Sequence, residues 1–185
     1  MSIERRIPSA IERVLLDERA IAVRVRELAA QISADYADSD DLVLVGVLKG
    51  AFIFLADLAR RLTVSHHVDF IALSSYNRGT VSAGEVRLIM DTRTNVTGRH
   101  VLVVEDIVDT GYTLGYLLRT FRARQPGSLR ACALLSKPER RQIEVPIDYL
   151  GFEIPDVWVV GYGLDYTDRF RTLPYIGALK REVYE

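Results

Sequence analysis

Residues Val101 to Leu114 read VLVVEDIVDTGYTL. Val101 to Val104 form an all-apolar run of the kind found in a strand buried on both faces of a sheet. Glu105 to Gly111 make a polar turn, and Leu114, Leu117, Leu118 and Phe121 then recur at helical spacing until Pro126 and Gly127 stop the helix. A strand that passes through a tight turn into a helix is the repeating unit of a parallel α/β sheet.

The flanking sequence repeats this pattern. Upstream, Leu42 to Leu48 is a second non-alternating apolar run, Gly50 punctuates it, and Ala51 to Leu62 places Phe54, Leu55, Leu58 and Leu62 on one helical side. Before it, Ile21, Val25, Leu28, Ile32 and Tyr36 mark an amphipathic helix over Asp17–Tyr36, with Asp17 as its N-cap. Strands are expected at Val68–Leu73, Val86–Met90, Ala131–Leu135, Ile147–Phe152 and Val157–Val160, with Pro138, Pro146 and Pro155 marking breaks. Ser74 to Glu85, polar with two glycines, reads as a long mobile loop. The expected fold is an open, mainly parallel α/β sheet flanked by helices, whose ligands sit beyond the carboxyl ends of the strands.

Composition sets the outer bounds. At roughly one domain per 150 residues, the 185 residues make one domain. Lys+Arg number 24 against 25 Asp+Glu, a formal net charge of -1, so no bulk positive field is available to hold nucleic acid. With 49% hydrophobic and 26% charged residues the chain is an ordinary globular one, which excludes disorder as its main description. Its longest apolar stretches, Leu42–Leu48 and Ala51–Ala56, fall far short of the roughly 18 to 20 residues that cross a bilayer. Met1 to Arg6 lead into no apolar signal core and the single cysteine makes no internal disulfide, so no membrane partner and a reducing, cytoplasmic setting are expected.

The turn after Val104 carries the chemistry. Backbone N–H groups at a helix start and in a glycine-containing turn form an anion cradle, to which the Thr110 and Thr113 hydroxyls add donors. A phosphate fits there. Glu105 and Asp106 would repel a phosphate, so they need sugar hydroxyls or a hard cation such as Mg²⁺ as partners. Singly, these residues read as an ordinary capped helix with Asp109 or Thr110 as N-cap; three acids crowded at one strand end are not explained that way.

Glu105 to Thr113, EDIVDTGYT, resembles the phosphoribosyl pyrophosphate (PRPP) signature of type I phosphoribosyltransferases. GVLKGAF at Gly46–Phe52, SSY at Ser74–Tyr76, Ser136-Lys137-Pro138 and GFEIPDVWVVGYGLDY at Gly151–Tyr166, with Arg171 following, narrow the resemblance to the hypoxanthine-guanine branch of that family, in order and spacing, from about Val14 to Ile176. The resemblance implies a type I phosphoribosyltransferase fold. It also implies one domain over 1–185, with a small hood formed by about residues 1–16 and 147–185.

The activity it implies is purine salvage. A 5-phosphoribosyl group passes from PRPP to N9 of a 6-oxopurine, hypoxanthine, guanine or in some members xanthine, giving IMP or GMP and pyrophosphate. Lys49 and Gly50 would lie against the pyrophosphate, with a cis peptide between Leu48 and Lys49. Asp109, Thr110, Gly111, Tyr112 and Thr113 would hold the 5-phosphate, Asp109 also acting as the base at N7. Glu105 and Asp106 would meet the ribose hydroxyls directly or through Mg²⁺, Asp165 a second Mg²⁺, and Arg171 the leaving pyrophosphate. Ser75 and Tyr76 would belong to a loop that closes over the reacting centre and excludes water.

Base choice follows partly from atoms. An ammonium offers donors only, so Lys137 at the 6-position would favour an oxo group over the amino group of adenine. Trp158 would stack on the base and Val159 meet its pyrimidine edge through its backbone. Without the resemblance, Trp158 reads as a core tryptophan and Lys137 as a surface lysine. Assembly as a homodimer or homotetramer is implied as well.

Other signals carry less. His66 and His67 point to opposite faces of an extended segment, Cys132 reads as a buried inert thiol, and Gly161 and Gly163 lack the third glycine of a dinucleotide motif. A PRPP-sensing regulator that binds nucleic acid is the alternative on the same fold. The absence of an appended basic segment and the full set Asp109, Lys137, Asp165 and Arg171 weigh against it.

Overall fold

The computed structural model describes residues 8–75 and 86–184. Tyr76, Arg78 and the first seven residues of the expected hood lie outside the described residues, and so does the side chain of Ser75.

Two strand–turn–helix units build the centre: β2 (Leu42–Leu48) with α2 (Phe52–Ala59), and β5 (His100–Val108) with α3 (Tyr112–Arg122). Around them lie β1 (Ile11–Leu16), α1 (Glu18–Asp35), β3 (His66–Ser75), β4 (Val86–Met90), β6 (Ser128–Ser136), β7 (Tyr149–Glu153), β8 (Val159–Val160) and β9 (Ile176–Leu179). Six strands form one sheet in the order β4-β3-β2-β5-β6-β7. All its pairings are parallel except the edge pair β3–β4, so the expected open α/β sheet is what forms.

The lack of alternation in β2 and β5 has a direct cause. Leu42 and Leu44 of β2, with Leu102 and Val104 of β5, face a core shared with α1 and α2. Val43, Val45 and Val47, with Val101 and Val103, face the core on the α3 side. Both faces are dry, so both parities of each strand must be apolar.

Five expectations need adjustment. β5 runs through Glu105 and Asp106 to Val108, so these acids stand in the strand rather than in the turn. Asp17 does cap α1, accepting the Ala20 N–H at 2.7 Å, but α3 has Gly111 as its N-cap, with no side-chain cap. β3 continues to Ser75 and pairs with β4, so Ser74 and Ser75 stand in a strand rather than in the expected loop. Lastly, β1 and β9, absent from the sequence reading, pair with β8 in a separate three-stranded sheet in the order β1-β9-β8. They are short and lie among polar residues, and their pairing joins the two ends of the chain, which no local pattern announces. β7 pairs with β6 in the main sheet, so of the 147–185 segment expected in a hood only the part after Glu153 reaches the small sheet. Among the described residues no helix is long and apolar enough to cross a membrane.

Candidate active site

The carboxyl ends of β2 and β5 open on a cavity of about 280 Å³. Gly50, Glu105, Asp106, Asp109, Thr110, Gly111 and Thr113 all line it, which brings together residues separated by about a third of the chain. Tyr112 opens α3 beside it. Gly111 has φ +94, a left-handed conformation that a side chain resists, and a Cβ there would meet the Ile143 carbonyl at 2.6 Å. The Thr110 carbonyl accepts the N–H groups of Gln142 and Ile143, pinning the turn from behind. Because no side chain caps α3, the first N–H groups of the helix stay available to an anion.

Glu105 is buried, 4% exposed, and Asp106 beside it is half-buried. Burial first, and then the charge of Asp106, pushes Glu105 well above the usual carboxylate range. Asp106 is likewise raised by burial, to about 6, although the Ile107 N–H and the Arg171 guanidinium favour its charged form. Two acids that disfavour each other's charge in a dry place form a donor set of hard oxygens suited to a hard cation.

A network of ion pairs lies next to this pair. Lys49 Nζ is 3.0 Å from Asp168 Oδ1, Arg171 reaches the same oxygen at 2.9 Å and Asp165 at 2.7 Å, and Arg171 also donates to the Gly163 carbonyl at 2.8 Å. Gly163 in turn packs on the Gly50 backbone. Lys49, Asp165 and Arg171, predicted from sequence to serve one leaving group, are thus gathered by Asp168, which the sequence reading missed. Its position three residues after Asp165 was the available signal. The peptide between Leu48 and Lys49 is cis, as the resemblance implied.

On the opposite side, β6 delivers Lys137. Val108 pairs with Ser136, and the Lys137 N–H donates to the Val108 carbonyl at 3.0 Å, which places the lysine beside the Asp109 turn. The lysine is 7% exposed, and its Nζ stands 3.6 Å from Asp156 Oδ1, longer than a hydrogen bond. It is therefore a buried ammonium rather than a surface lysine. Arg140, also missed, places Nε 2.8 Å from Asp109 Oδ1 and Nη1 3.5 Å from Asp156 Oδ1. Pro138 starts a 3-10 turn (Pro138–Arg140) that returns Arg140 toward Asp109. Val159 is buried in β8, and Trp158 is 46% exposed, too open for a core tryptophan.

An anion cradle and a buried acidic pair at the carboxyl ends of a parallel sheet, with basic groups on both sides, define a phosphoribosyl-transfer site. Residues 14–167 match the phosphoribosyl transferase domain family, and the chain belongs to that family. It is 49% identical over 175 residues to the hypoxanthine-guanine phosphoribosyltransferase of Bacillus subtilis (strain 168), covering 95% of this chain and 97% of that one. Among solved structures, the hypoxanthine phosphoribosyltransferase of Trypanosoma cruzi in complex with the product IMP superposes with a TM-score of 0.90 at 44% identity, over 97% of this chain and 100% of that one. The enzyme from Staphylococcus aureus gives 0.90 at 44%, over 95% of each chain. Within the family, the chain is one of the hypoxanthine-guanine phosphoribosyltransferases, enzymes of purine salvage.

Proposed function

We propose that this enzyme joins the 5-phosphoribosyl group of PRPP to N9 of a 6-oxopurine, hypoxanthine or guanine with xanthine as a third candidate, and releases pyrophosphate with IMP or GMP. The reading is carried by one cavity that couples the uncapped start of α3 to the Glu105–Asp106 pair, with buried Lys137 beside it.

In this reading Thr110, Gly111, Tyr112 and Thr113 hold the 5-phosphate, and Lys49, Gly50 and Arg171 hold the leaving pyrophosphate. For the two cations to do so, they exchange the exposed Asp168 carboxylate for phosphate oxygens. Lys137 donates to the 6-oxo group, Trp158 stacks on the base, and the Val159 backbone meets its pyrimidine edge. Asp109 takes the proton at N7 as N9 attacks, having first exchanged Arg140 for the base.

Glu105, Asp106 and Asp165 are the residues that would hold Mg²⁺. Burial raises both Glu105 and Asp106, and the charge of Asp106 raises Glu105 further and that of Asp165 raises Asp106, which supports that fit. When bound, the ion would neutralise charge on the departing pyrophosphate. The assignment of 1–185 to one domain with a hood belongs to the same proposal, supported by the small sheet of terminal strands. A cytoplasmic setting is supported by free, buried Cys132. A homodimer or homotetramer is supported by the exposed apolar side chains of Val68, Ile89 and Met90.

A steady-state assay with PRPP, Mg²⁺ and a panel of hypoxanthine, guanine, xanthine and adenine tests the proposal. Nucleotide formation with the 6-oxopurines and little with adenine is expected. No product with any base would overturn it.

A further inference from the structure

Trp158 is the single tryptophan of the chain, and two tyrosines pack on it. Tyr184 lies at a ring-centroid distance of 5.5 Å and an interplanar angle of 30°, and Tyr166 meets the indole edge-on at 5.6 Å and 89°. The two tyrosines are linked: the Tyr166 hydroxyl donates to the Val183 carbonyl at 2.9 Å, which fixes the 3-10 turn Arg181–Val183 that presents Tyr184. That turn is anchored to the small sheet, since Lys180 N–H donates to the Ala10 carbonyl at 3.0 Å and Leu179 N–H to the Trp158 carbonyl at 2.8 Å. With one side of the indole against Tyr184 and an edge against Tyr166, the exposed 46% of Trp158 leaves ring surface open for a further flat partner.

We infer that Tyr184 is a positioning residue for the purine: it backs the Trp158 indole, with Tyr166 as its clamp, and thereby holds the ring at the angle the base requires. The inference rests on the reading of Trp158 as the base-stacking residue. An isolated indole just ahead of a short strand can turn about both side-chain bonds, and a base that stacks on a mobile ring must order it on binding. A second ring packed on the far side removes that freedom before the base arrives. Tyr166 directly follows Asp165, so the same clamp ties the base side of the site to the acid proposed for the pyrophosphate side.

The test uses the full chain and the fluorescence of Trp158, which no other tryptophan obscures. In the unsubstituted enzyme IMP should change the emission and give its Kd by titration. Tyr184→Ala should shift the free enzyme's emission to longer wavelength. It should also raise the Kd for IMP and the KM for hypoxanthine roughly two- to tenfold, the worth of an aromatic pair, with kcat and the KM for PRPP within about twofold. Tyr184→Phe, which keeps the ring, should restore these values. Tyr166→Phe, which removes only the hydroxyl on Val183, should move them in the direction of Tyr184→Ala and less far. An unchanged or lowered hypoxanthine KM in Tyr184→Ala would overturn the inference, the lowered value meaning that the tyrosine covers the face the base needs. Equal losses for PRPP and hypoxanthine would also overturn it, as a general loss of structure. An indole in the unsubstituted enzyme that ignores IMP would overturn the reading of Trp158 itself, and the inference with it.

Discussion

A Cβ built on Gly50 would fall 1.6 Å from Oδ2 of Asp106. The turn after β2 and the acidic end of β5 therefore touch with no room for a methyl group. Gly163 repeats the relation one layer further out, where a Cβ would meet the Gly50 carbonyl at 1.9 Å. Three backbone segments are stacked in this way under the residues proposed to hold pyrophosphate.

Gly50→Ala should consequently act through displacement of Asp106. Overpacking of this kind costs about 1 to 3 kcal/mol, and kcat/KM for PRPP should fall at least about tenfold because an acid of the buried pair has moved. Steady-state kinetics with PRPP varied, beside a thermal melt, reads both effects. Activity equal to that of the parent would mean that the Asp106 side chain can turn away without consequence.

Lys137→Ala removes a buried ammonium whose Nζ is 3.6 Å from Asp156. A hydrogen bond to or from a charged group is worth about 1.5 to 3 kcal/mol, so the KM for hypoxanthine and guanine should rise about 10- to 100-fold while that for PRPP stays within about twofold. Discrimination against adenine should shrink in the same variant. An equal loss of PRPP affinity would assign the lysine a different task.

The sheet was legible because its central strands are dry on both faces, so that Leu42–Leu48 and Val101–Val104 stand out as unbroken apolar runs. The turn proposed as an anion cradle was legible because its glycine and hydroxyl residues lie close together in sequence between a strand and a helix, as Thr110 to Thr113 do. What stayed hidden depends on distant pairing. β1 and β9 become strands only by meeting each other across the chain, and Asp168 matters only because Lys49, 119 residues away, comes to it. Arg140 carries no signal of its own in the sequence and gains a role only where the 3-10 turn brings it to Asp109. The end of β5 was misjudged for a local reason: Glu105 and Asp106 look like turn residues, and it is the ladder with β6, pairing Glu105 with Ala133 and Val108 with Ser136 after β2 has ended its pairing at Val104, that lets a strand carry them.

Asp109→Ala should separate chemistry from binding. General acid–base groups contribute about 10² to 10⁴ in rate, so kcat should drop at least about tenfold with PRPP affinity largely kept, because the proposed phosphate site draws on the uncapped N–H groups at the start of α3 rather than on this carboxylate. Arg140 would lose a partner at 2.8 Å but keep Asp156 within 3.5 Å, which limits any structural effect. Single-turnover rates alongside equilibrium binding of PRPP would show the split, and unchanged turnover would remove Asp109 from the reaction.

Away from the site, Asp69 gives a pH prediction. Its carboxylate accepts the N–H groups of Phe70 at 2.7 Å, Arg93 at 2.9 Å and Thr94 at 2.7 Å, which ties β3 to the segment that follows β4. Burial alone would raise its pKa, but these donors outweigh burial and hold the carboxyl below its ordinary value of 3.8. The folded state therefore binds the proton less readily than the unfolded chain, and the carboxylate adds stability above about pH 4 that is lost as the pH falls through the folded value. Asp69→Ala should cost about 2 to 3 kcal/mol at pH 7, where charged hydrogen bonds are removed and N–H groups left without a partner. Urea unfolding of parent and variant should show that difference narrowing steadily between about pH 4 and pH 2.5. A gap of the same size at both ends of the range would mean that the side chain stabilises the fold through packing rather than through its charge.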